Sequence, residues 1–301
     1  MSNYFNGAPV DDDVMAAQLD ATGNFRVLRR ASPFPPMPET MAGLRRGVVV
    51  DVETTGLDAQ SAIIQLAILP FAYDGQGRVV GVDKPFVGLE DPLQPIPPKV
   101  TLLTGLTIDD VSSKFLDYDE VEAAVGDPSI VIAHNAAFDR RFLEARFPFV
   151  ERLAFGCSMT QVPWDTEGFE SAKLGWLMMQ SGFFHDAHDA AADCFAVLTL
   201  LARTLPSANA TALSVLLEAA ASPTHRIWAV GAPIEFKDHL KSRGYRWNPG
   251  NDGRPRAWFK DIGVADYEAE RRFLTTEIYQ NSFATPVVTS IDAFSRFSIR
   301  S

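Results

Sequence analysis

The apolar residues of the first part of the chain form continuous runs. Such runs at 47–52 and 62–72, with a third apolar segment at 78–87, predict strands that are buried in a sheet. The turn Asp74-Gly75-Gln76-Gly77 separates the last two and is typical of a hairpin. The pattern therefore predicts an antiparallel start of three strands.

Beyond these strands, the apolar residues recur mostly at helical spacing. In the segment 187–204 they recur at i, i+3, i+4 and i+7 until Pro206 ends the pattern. A short β-branched run at 129–133 predicts one more strand. Helices are predicted at 117–125, 135–147, 171–181, 187–204 and 209–221. This order predicts an α/β fold, in which a mixed sheet is flanked by helices.

Prolines and aromatic residues suggest the limits of the structural units. Closely spaced prolines in 32–38 deny the backbone its donors, so residues 1–45 are expected to form an extended arm. The main domain is placed at 46–205, a helical linker at 206–223, and a small α+β domain at 224–301. The last twenty residues are expected to pack on that small domain. A chain of 301 residues that is 47% hydrophobic can bury one main core and a second, smaller one.

The net charge of −11 would by itself argue against a nucleic-acid partner, but the charge is unevenly distributed. The middle of the chain is acidic, whereas 226–260 contains eight basic and three acidic residues interleaved with aromatic rings. This composition is typical of proteins that bind single strands. A small domain also needs such rings for its own core. The four basic residues predicted to hold phosphates are Lys237, Lys241, Arg243 and Arg246.

The cysteines and the N-terminal sequence indicate the compartment. Cys157 and Cys194 are far apart and form no metal-type pair, which favours a reducing environment. The N-terminus lacks a secretory pattern, and no apolar run approaches the roughly 20 residues that span a bilayer. The protein is therefore expected to be cytoplasmic, with no membrane partner.

Four acidic residues follow predicted strands or lie on predicted helices in an order that suggests a metal site. Asp51 and Glu53 are two residues apart at the end of a strand and therefore point to the same face, while Val52 points into the core. Asp139 and Asp193 lie on two later helices. Four carboxylates suit Mg²⁺ or Mn²⁺ rather than zinc. Two such ions hydrolyse phosphodiesters, so the pattern predicts a metal-dependent nuclease.

Histidines accompany these acids. His188 precedes Asp193 by five residues and is the predicted general base, because an imidazole can accept a proton at neutral pH. The nearby His185, Asp186 and Asp189 are expected to be exposed residues at a helix start rather than a transition-metal cluster. His134 is predicted to order its segment without binding metal, and Asn135 to cap the helix that carries Asp139.

Three segments together resemble the exonuclease motifs of the DnaQ-like DEDDh exonucleases, the family of proofreading subunits and ribonuclease T. They are Asp51-Val52-Glu53-Thr54-Thr55-Gly56, His134-Asn135-Ala136-Ala137-Phe138-Asp139, and His188 with Asp193. The likeness covers residues 46–205, and Asp189 stands where the tyrosine subclass would have its tyrosine. The resemblance implies a ribonuclease H-like fold, two Mg²⁺ or Mn²⁺ ions, and release of nucleoside monophosphates in the 3′ to 5′ direction.

The resemblance also implies contacts with the terminal nucleotide. Thr54 and Leu57 match positions beside the 3′ end, with Leu57 as an apolar wedge against a base. Thr104, in the loop 103–107, and Asn135 complete the predicted substrate-binding set; proofreading subunits often have histidine where this chain has Thr104.

The sequence thus predicts a 3′ to 5′ exonuclease that acts on single-stranded or mismatched DNA. A ribonuclease T-like or oligoribonuclease-like exoribonuclease is the first alternative, because recognition of a 2′-hydroxyl depends on pocket details. A nucleic-acid-binding protein without turnover is the second. The predicted partners are nucleic acid, with single-stranded DNA favoured over RNA, and a polymerase or repair complex.

Overall fold

A computed structural model describes residues 11–31, 33–251, 253–280 and 284–300. The strands are β1 Arg29–Arg30, β2 Arg45–Thr54, β3 Ile63–Tyr73, β4 Val79–Val82, β5 Phe86–Leu89, β6 Ile130–Ala133, β7 Phe155–Cys157, β8 Phe183–Phe184, β9 Thr204–Leu205, β10 Ala210–Thr211, β11 Thr224–Ala229, β12 Arg246–Asn248, β13 Ala257–Gly263 and β14 Val287–Ile291. The helices are α1 Asp12–Ala21, α2 Pro98–Thr104, α3 Ile108–Val111, α4 Tyr118–Val125, α5 Ala136–Arg146, α6 Leu174–Gln180, α7 Ala190–Leu201, α8 Ala212–Ala221, α9 Lys237–Ser242 and α10 Tyr267–Phe273. In the part of the chain so described, no helix is long and apolar enough to span a bilayer.

A six-stranded mixed sheet forms the centre of the first unit, residues 45–221, here called the N-terminal unit. Its order is β4-β3-β2-β6-β7, with β5 also paired to β3. β2, β3 and β4 are antiparallel, and β6 and β7 run parallel to β2. The predicted antiparallel start and α/β class are confirmed, and the arrangement is ribonuclease H-like.

The predicted third strand, 78–87, is in fact two strands. β4 pairs with the end of β3, whereas β5 pairs with residues 65–68 nearer its start. Pro85 lies between them and has no N–H to donate to a ladder. Strand β4 therefore ends before Pro85, and the chain pairs with β3 again, as β5, nearer the start of β3.

The two faces of the sheet have separate apolar cores. Val48, Val50 and Val52 face α4 and α5, with Phe142 and Leu143. Val49 faces α6, α7 and α8 on the other side. Because side chains alternate along a strand, Asp51 and Glu53 face the same side as Val49, which is the side of α7. The prediction that Val52 points into the core is confirmed.

Helix α8 was predicted to be part of a linker, but it packs into the core of the N-terminal unit. Leu213 and Leu216 are fully buried there. A Cβ atom on Gly156 of β7 would lie 2.7 Å from Cδ2 of Leu216, so the glycine permits a close approach of strand and helix. The alanine-rich sequence suggested a bridge, whereas its leucines bury one face of the helix.

The C-terminal unit, residues 224–291, has its own sheet and core. Its four strands are antiparallel in the order β12-β13-β11-β14. α9, α10 and a π-helical turn at 274–279 accompany the sheet, and Leu240, Tyr245 and Phe273 are buried with Ile227 of β11. This is the expected small α+β unit.

The N-terminal segment was predicted to be an extended arm, yet it contains a helix. Asp11 caps α1 by accepting a hydrogen bond from the N–H of Asp13. β1 pairs in parallel with β8, and Pro36 forms a bridge with Val82. The prolines keep only their own stretch extended, so they leave the preceding residues free to form a helix. Residues 1–10 of the predicted arm lie outside the described residues.

The last residues also differ from expectation. β14 does pair with β11 in the C-terminal unit, but residues 292–300, here called the terminal segment, lie against the N-terminal unit. The N–H of Phe155 in β7 donates to the carbonyl of Ala293 at 2.8 Å. The fully buried Arg140 donates to the carbonyls of Phe294 and Arg296 at 2.6 and 2.9 Å. The terminal segment thus joins the two units.

Candidate active site

The first two acids are placed by the end of β2. Glu53 pairs with Gln65 of β3, and the register shifts between Glu53 and Thr54. A bulge there bends the strand and re-aims the side chains that follow. Thr54 Oγ1 then donates to the carbonyl of Gly56 at 2.6 Å, which fixes the loop directly after the acids.

Asp139 is brought to the same place by the start of α5. Its buried carboxylate accepts a hydrogen bond from the N–H of Val52, with 3.2 Å between nitrogen and Oδ1. Asn135 precedes the helix in a left-handed conformation with φ of +75°, which asparagine tolerates better than most residues. Asn135 occupies the predicted N-cap position of α5, but its side chain is exposed and makes no capping hydrogen bond.

The third motif lies at the start of α7. Asp189 is the N-cap and accepts from the N–H of Ala192 at 2.8 Å, as expected for an aspartate at a helix start. The N–H of His188 lies 3.3 Å from Oδ2 of Asp193. One ligand atom from each of Glu53, His188 and Asp193 lies within 4.8 Å of the other two.

The electrostatics show that Asp51 and Asp139 belong to the same cluster, although they are not among those three closely spaced ligand atoms. Burial, with repulsion from Asp139, Asp193 and Glu53, raises the pKa of Asp51 far above its ordinary value. Burial and the charge of Asp193 raise the pKa of Glu53 to about 8. Burial raises the pKa of Asp139 to about 7 despite its backbone hydrogen bonds. The raised pKa values of Asp51, Glu53 and Asp139 therefore favour the binding of protons or cations at neutral pH.

The donor set fits hard divalent cations. All four acids offer oxygen, and Oδ1 of Asp193 is buried without a well-formed hydrogen bond. Cys194, next in the chain, does not join the site, because its thiol lies 3.6 Å from the carbonyl of Val49 in the core. Oxygen ligands without thiolate favour Mg²⁺ or Mn²⁺ over zinc.

His185 is a site residue that the sequence did not reveal. Its Nε2 lies 2.9 Å from Oδ1 of Asp193, and its side chain is only 10% exposed. The prediction that it is an exposed residue at the helix start is therefore wrong. His185 lies in the loop between β8 and α7, where no periodicity marks a buried position. Asp186, by contrast, is exposed as expected and pairs with Arg30 at 3.0 Å.

His134 orders the second motif, as predicted. Its two ring nitrogens lie 2.8 Å from the hydroxyl of Ser158 and 2.8 Å from the carbonyl of Ala172. Burial lowers its pKa to about 4, so the ring is neutral at physiological pH. With both nitrogens engaged, it has none left for a metal.

The residues predicted to contact substrate occupy different environments. Leu57 is 81% exposed beside the acids, and its carbonyl accepts a hydrogen bond from Arg141 at 2.9 Å. Thr54 is buried. Thr104 donates to the carbonyl of Val100 and accepts from the N–H of Leu106, so its hydroxyl is already used at the end of α2. Their contacts with substrate remain predictions.

The four predicted phosphate-binding residues do not share one surface role. Lys237 and Lys241 lie on α9. Arg243 donates to both carboxylate oxygens of Glu270, and its Cζ lies 3.9 Å from the centre of the Phe273 ring. These contacts indicate that Arg243 stabilises the C-terminal unit. The side chain of Arg246 is 66% exposed.

Comparison with known proteins places this site in a family. A family model described as exonuclease, of the ribonuclease T type, matches residues 48–201. The PolC-type DNA polymerase III of Halalkalibacterium halodurans is 35% identical over 124 residues, which cover 36% of this chain and 8% of the polymerase. The PolC-type DNA polymerase III of Clostridium perfringens is 36% identical over 107 residues, which cover 32% of this chain and 6% of the polymerase. The matches thus span less than a tenth of either polymerase.

Solved structures of exonucleases resemble the chain as well. An exonuclease X in complex with 5′ overhanging duplex DNA has a TM-score of 0.43 and 24% identity, covering 57% of this chain and 99% of that one. The zinc-bound form of the E. coli exonuclease I complex with single-stranded DNA has a TM-score of 0.49 and 16% identity. The match covers 84% of this chain and 66% of exonuclease I. The family model spans just over half of the chain and includes the segments of Asp51, Asp139 and Asp193, and the chain therefore belongs to the exonuclease family.

Proposed function

We propose that this chain is a metal-dependent exonuclease that removes nucleotides from the 3′ end of single-stranded or mismatched DNA. The observation that carries the proposal is the cluster of four carboxylates, two buried and two half-buried, inside the segment that matches the exonuclease family. Such a cluster is unfavourable by itself and becomes favourable when it holds cations.

The acids have distinct proposed roles. Asp51, Glu53, Asp139 and Asp193 would hold two Mg²⁺ or Mn²⁺ ions. When bound, such ions neutralise the phosphate and activate water for attack on the phosphorus. Glu53 also orients that water or the 3′ end, because it lies next to His188.

His188 is the proposed general base. It sits beside Glu53 and Asp193, and its exposed ring can reach a water molecule that approaches the phosphate. The ring accepts the proton of the attacking water, while the 3′-oxygen of the preceding nucleotide leaves. The products are a nucleoside 5′-monophosphate and a strand shortened by one nucleotide.

DNA is proposed as the substrate because the relatives in the comparison are DNA polymerases. This likeness also makes a polymerase or repair complex the proposed partner. Thr54, Leu57, Thr104 and Asn135 are proposed to contact the terminal nucleotide, with the exposed Leu57 against its base.

Digestion of labelled substrates tests direction and substrate together. Single-stranded DNA, matched duplex, duplex with a mismatched 3′ end, and RNA are incubated with Mg²⁺ or Mn²⁺. With a 5′ label, we expect a ladder that shortens from the 3′ end, fastest on single-stranded and mismatched DNA. Faster digestion of RNA would replace the DNA proposal with an exoribonuclease. The absence of turnover with either ion would favour a binding protein.

A further inference from the structure

A cleft of about 890 Å³ lies between the N-terminal and C-terminal units. On one side it is lined by Asn135, Ala137 and Arg141, which surround the start of the helix that carries Asp139. On the other side it is lined by strands of the C-terminal sheet and by the terminal segment. Arg141 also donates to the carbonyl of Leu57, four residues after Glu53, so this side of the cleft adjoins the loop that follows the acids.

The lining of this cleft is strongly basic in a chain whose net charge is −11. Both units and the terminal segment contribute arginines, and one acidic residue, Asp261, is among the lining residues. The arginines are Arg141, Arg226, Arg246, Arg254 and Arg296. A concave surface with this charge attracts a polyanion and concentrates the positive potential.

Two of these arginines, Arg226 and Arg246, are held in place around Asp261 and Phe259. Arg226 forms two hydrogen bonds to Asp261, of 2.6 and 2.9 Å, and lies over the ring of Phe259. Arg246 lies 4.8 Å from the centre of the same ring and 3.5 Å from Asp261. One carboxylate thus faces two guanidinium groups, and the exposed Arg246 points a charge at solvent.

The terminal segment follows directly after β14 of the C-terminal sheet and is anchored by hydrogen bonds on the N-terminal unit, so it ties the two walls together. Arg296 donates to the carbonyls of Ala220 and Ser222 at the end of α8, at 3.1 and 2.7 Å. Arg140 holds the same segment from α5, as described above. A groove with fixed walls and fixed charges loses little entropy on binding.

We propose that this interdomain cleft is the track for the sugar-phosphate backbone of the nucleic-acid strand whose 3′ end enters the acidic site. The inference rests on the proposed function and deepens it. Arginine suits this task, since its planar group binds phosphate oxygens in pairs. Of the residues that sequence reasoning predicted to hold phosphates, Arg246 lines the track and the α9 lysines do not.

Two double variants with equal charge change test the track. One replaces two cleft arginines, Arg246→Gln with Arg254→Gln, and the other replaces the α9 lysines, Lys237→Gln with Lys241→Gln. Full-length proteins are compared on a 20-nucleotide strand and on the p-nitrophenyl ester of thymidine 5′-monophosphate, which is too short to reach the cleft. Thermal unfolding verifies that each variant is folded. If the glutamine variant of the arginines is unfolded, Arg246→Lys with Arg254→Lys, which retains the charge, is used in its place.

The arginine variant is expected to raise KM for the 20-mer roughly tenfold and to lower the salt slope of binding by about 0.7 for each lost contact. Its hydrolysis of the ester should equal that of wild type. Unchanged KM and salt slope would overturn the proposal, as would an equal effect of the lysine variant. If wild type cleaves neither substrate, the proposed function fails; the salt slope of strand binding, measured in EDTA, then still supports or overturns the track.

Discussion

At the residue scale, the central feature of the site is a group of carboxylates that repel one another at one end of the sheet. The raised pKa values of Asp51, Glu53 and Asp139 have burial as their largest cause and neighbouring acids as contributors. Backbone groups hold these acids in place even so, as the hydrogen bond from Val52 to Asp139 shows. The repulsion between the carboxylates is relieved when protons or divalent cations bind.

This gives a prediction for pH and metal together. Folded-state pKa values of about 8 for Glu53 and about 7 for Asp139 exceed their ordinary values of 4.5 and 3.8. Protonation of these two side chains therefore stabilises the fold fully when the pH is below their ordinary pKa values. This contribution is lost as the pH rises through their raised pKa values. In EDTA, Tm should fall between pH 5.5 and 8.5, and Mg²⁺ or Mn²⁺ should restore it most at the alkaline end.

Glu53→Gln combined with Asp139→Asn should flatten this pH dependence and reduce the metal effect. Asp127→Asn, which changes an exposed acid, should leave both as in wild type. A Tm in EDTA that does not change with pH, together with no stabilisation by either cation, would contradict the assignment of a metal site.

His188 supports a second prediction at this scale. His188→Gln should lower kcat by about 100- to 10,000-fold, the usual contribution of a general base, with little change in cation affinity. The change is measured under single-turnover conditions with saturating Mg²⁺. His239→Gln, an exposed histidine of the C-terminal unit, is the control. A His188→Gln enzyme within a few-fold of wild type would remove this residue from the proton-transfer role.

At the scale of elements, local pattern was enough where one strand or helix buries its own apolar residues. The continuous apolar runs that became β2, β3 and β6 were predicted because these strands are buried on both faces of the sheet, and the repeat in α7 because that helix buries one face in a core. The pattern failed where a distant partner decides the structure. The break at Pro85 reflects re-pairing along β3, and the burial of α8 depends on the space above Gly156.

The same limit applies to the site. The acids and His188 could be proposed from the sequence because their spacing follows strand and helix geometry, and the structure brings Glu53, His188 and Asp193 together. His185 was missed because its contact with Asp193 is made by an irregular loop. The cleft was missed because its arginines come from both units, and only the packing of the terminal segment brings them together.

Arg140 of α5 provides a stability prediction at the element scale. It is fully buried, pairs with Glu144 at 2.7 Å and donates to carbonyls of the terminal segment. Arg140→Met should lower the free energy of unfolding by about 3–5 kcal/mol, since it breaks a buried pair and removes the donor that the carbonyls of Phe294 and Arg296 share. Urea denaturation measures the change. Arg152→Met, which removes an ion pair whose arginine is 73% exposed, should have little effect, and equal losses in the two variants would contradict this account.

At the scale of the whole molecule, two units with separate cores are joined by the terminal segment. Charge is divided between them: the acidic cluster lies in one, and much of the basic cleft lies in the other. The proposed track would thus give a chain of negative net charge a basic surface for a polyanion.

Deletion of residues 292–301 tests the joint between the units. Hydrogen exchange should become faster in β11 and β13, because the C-terminal sheet then loses its fixed contact with α5 and β7. Exchange in β2 and β3 should change less. The same protection in the C-terminal sheet before and after deletion would show that the terminal segment does not join the units.

The central claim, that the buried acids form the catalytic metal site of an exonuclease, is tested most directly by one substitution. Asp51→Asn keeps the size of the side chain and removes the charge that the cations require. Degradation of 5′-labelled single-stranded DNA with Mg²⁺ is measured for wild type, Asp51→Asn and the exposed-acid control Asp127→Asn. We expect Asp51→Asn to be slower by at least about 100-fold, while the control matches wild type. An Asp51→Asn protein that degrades the strand as fast as wild type would contradict the account.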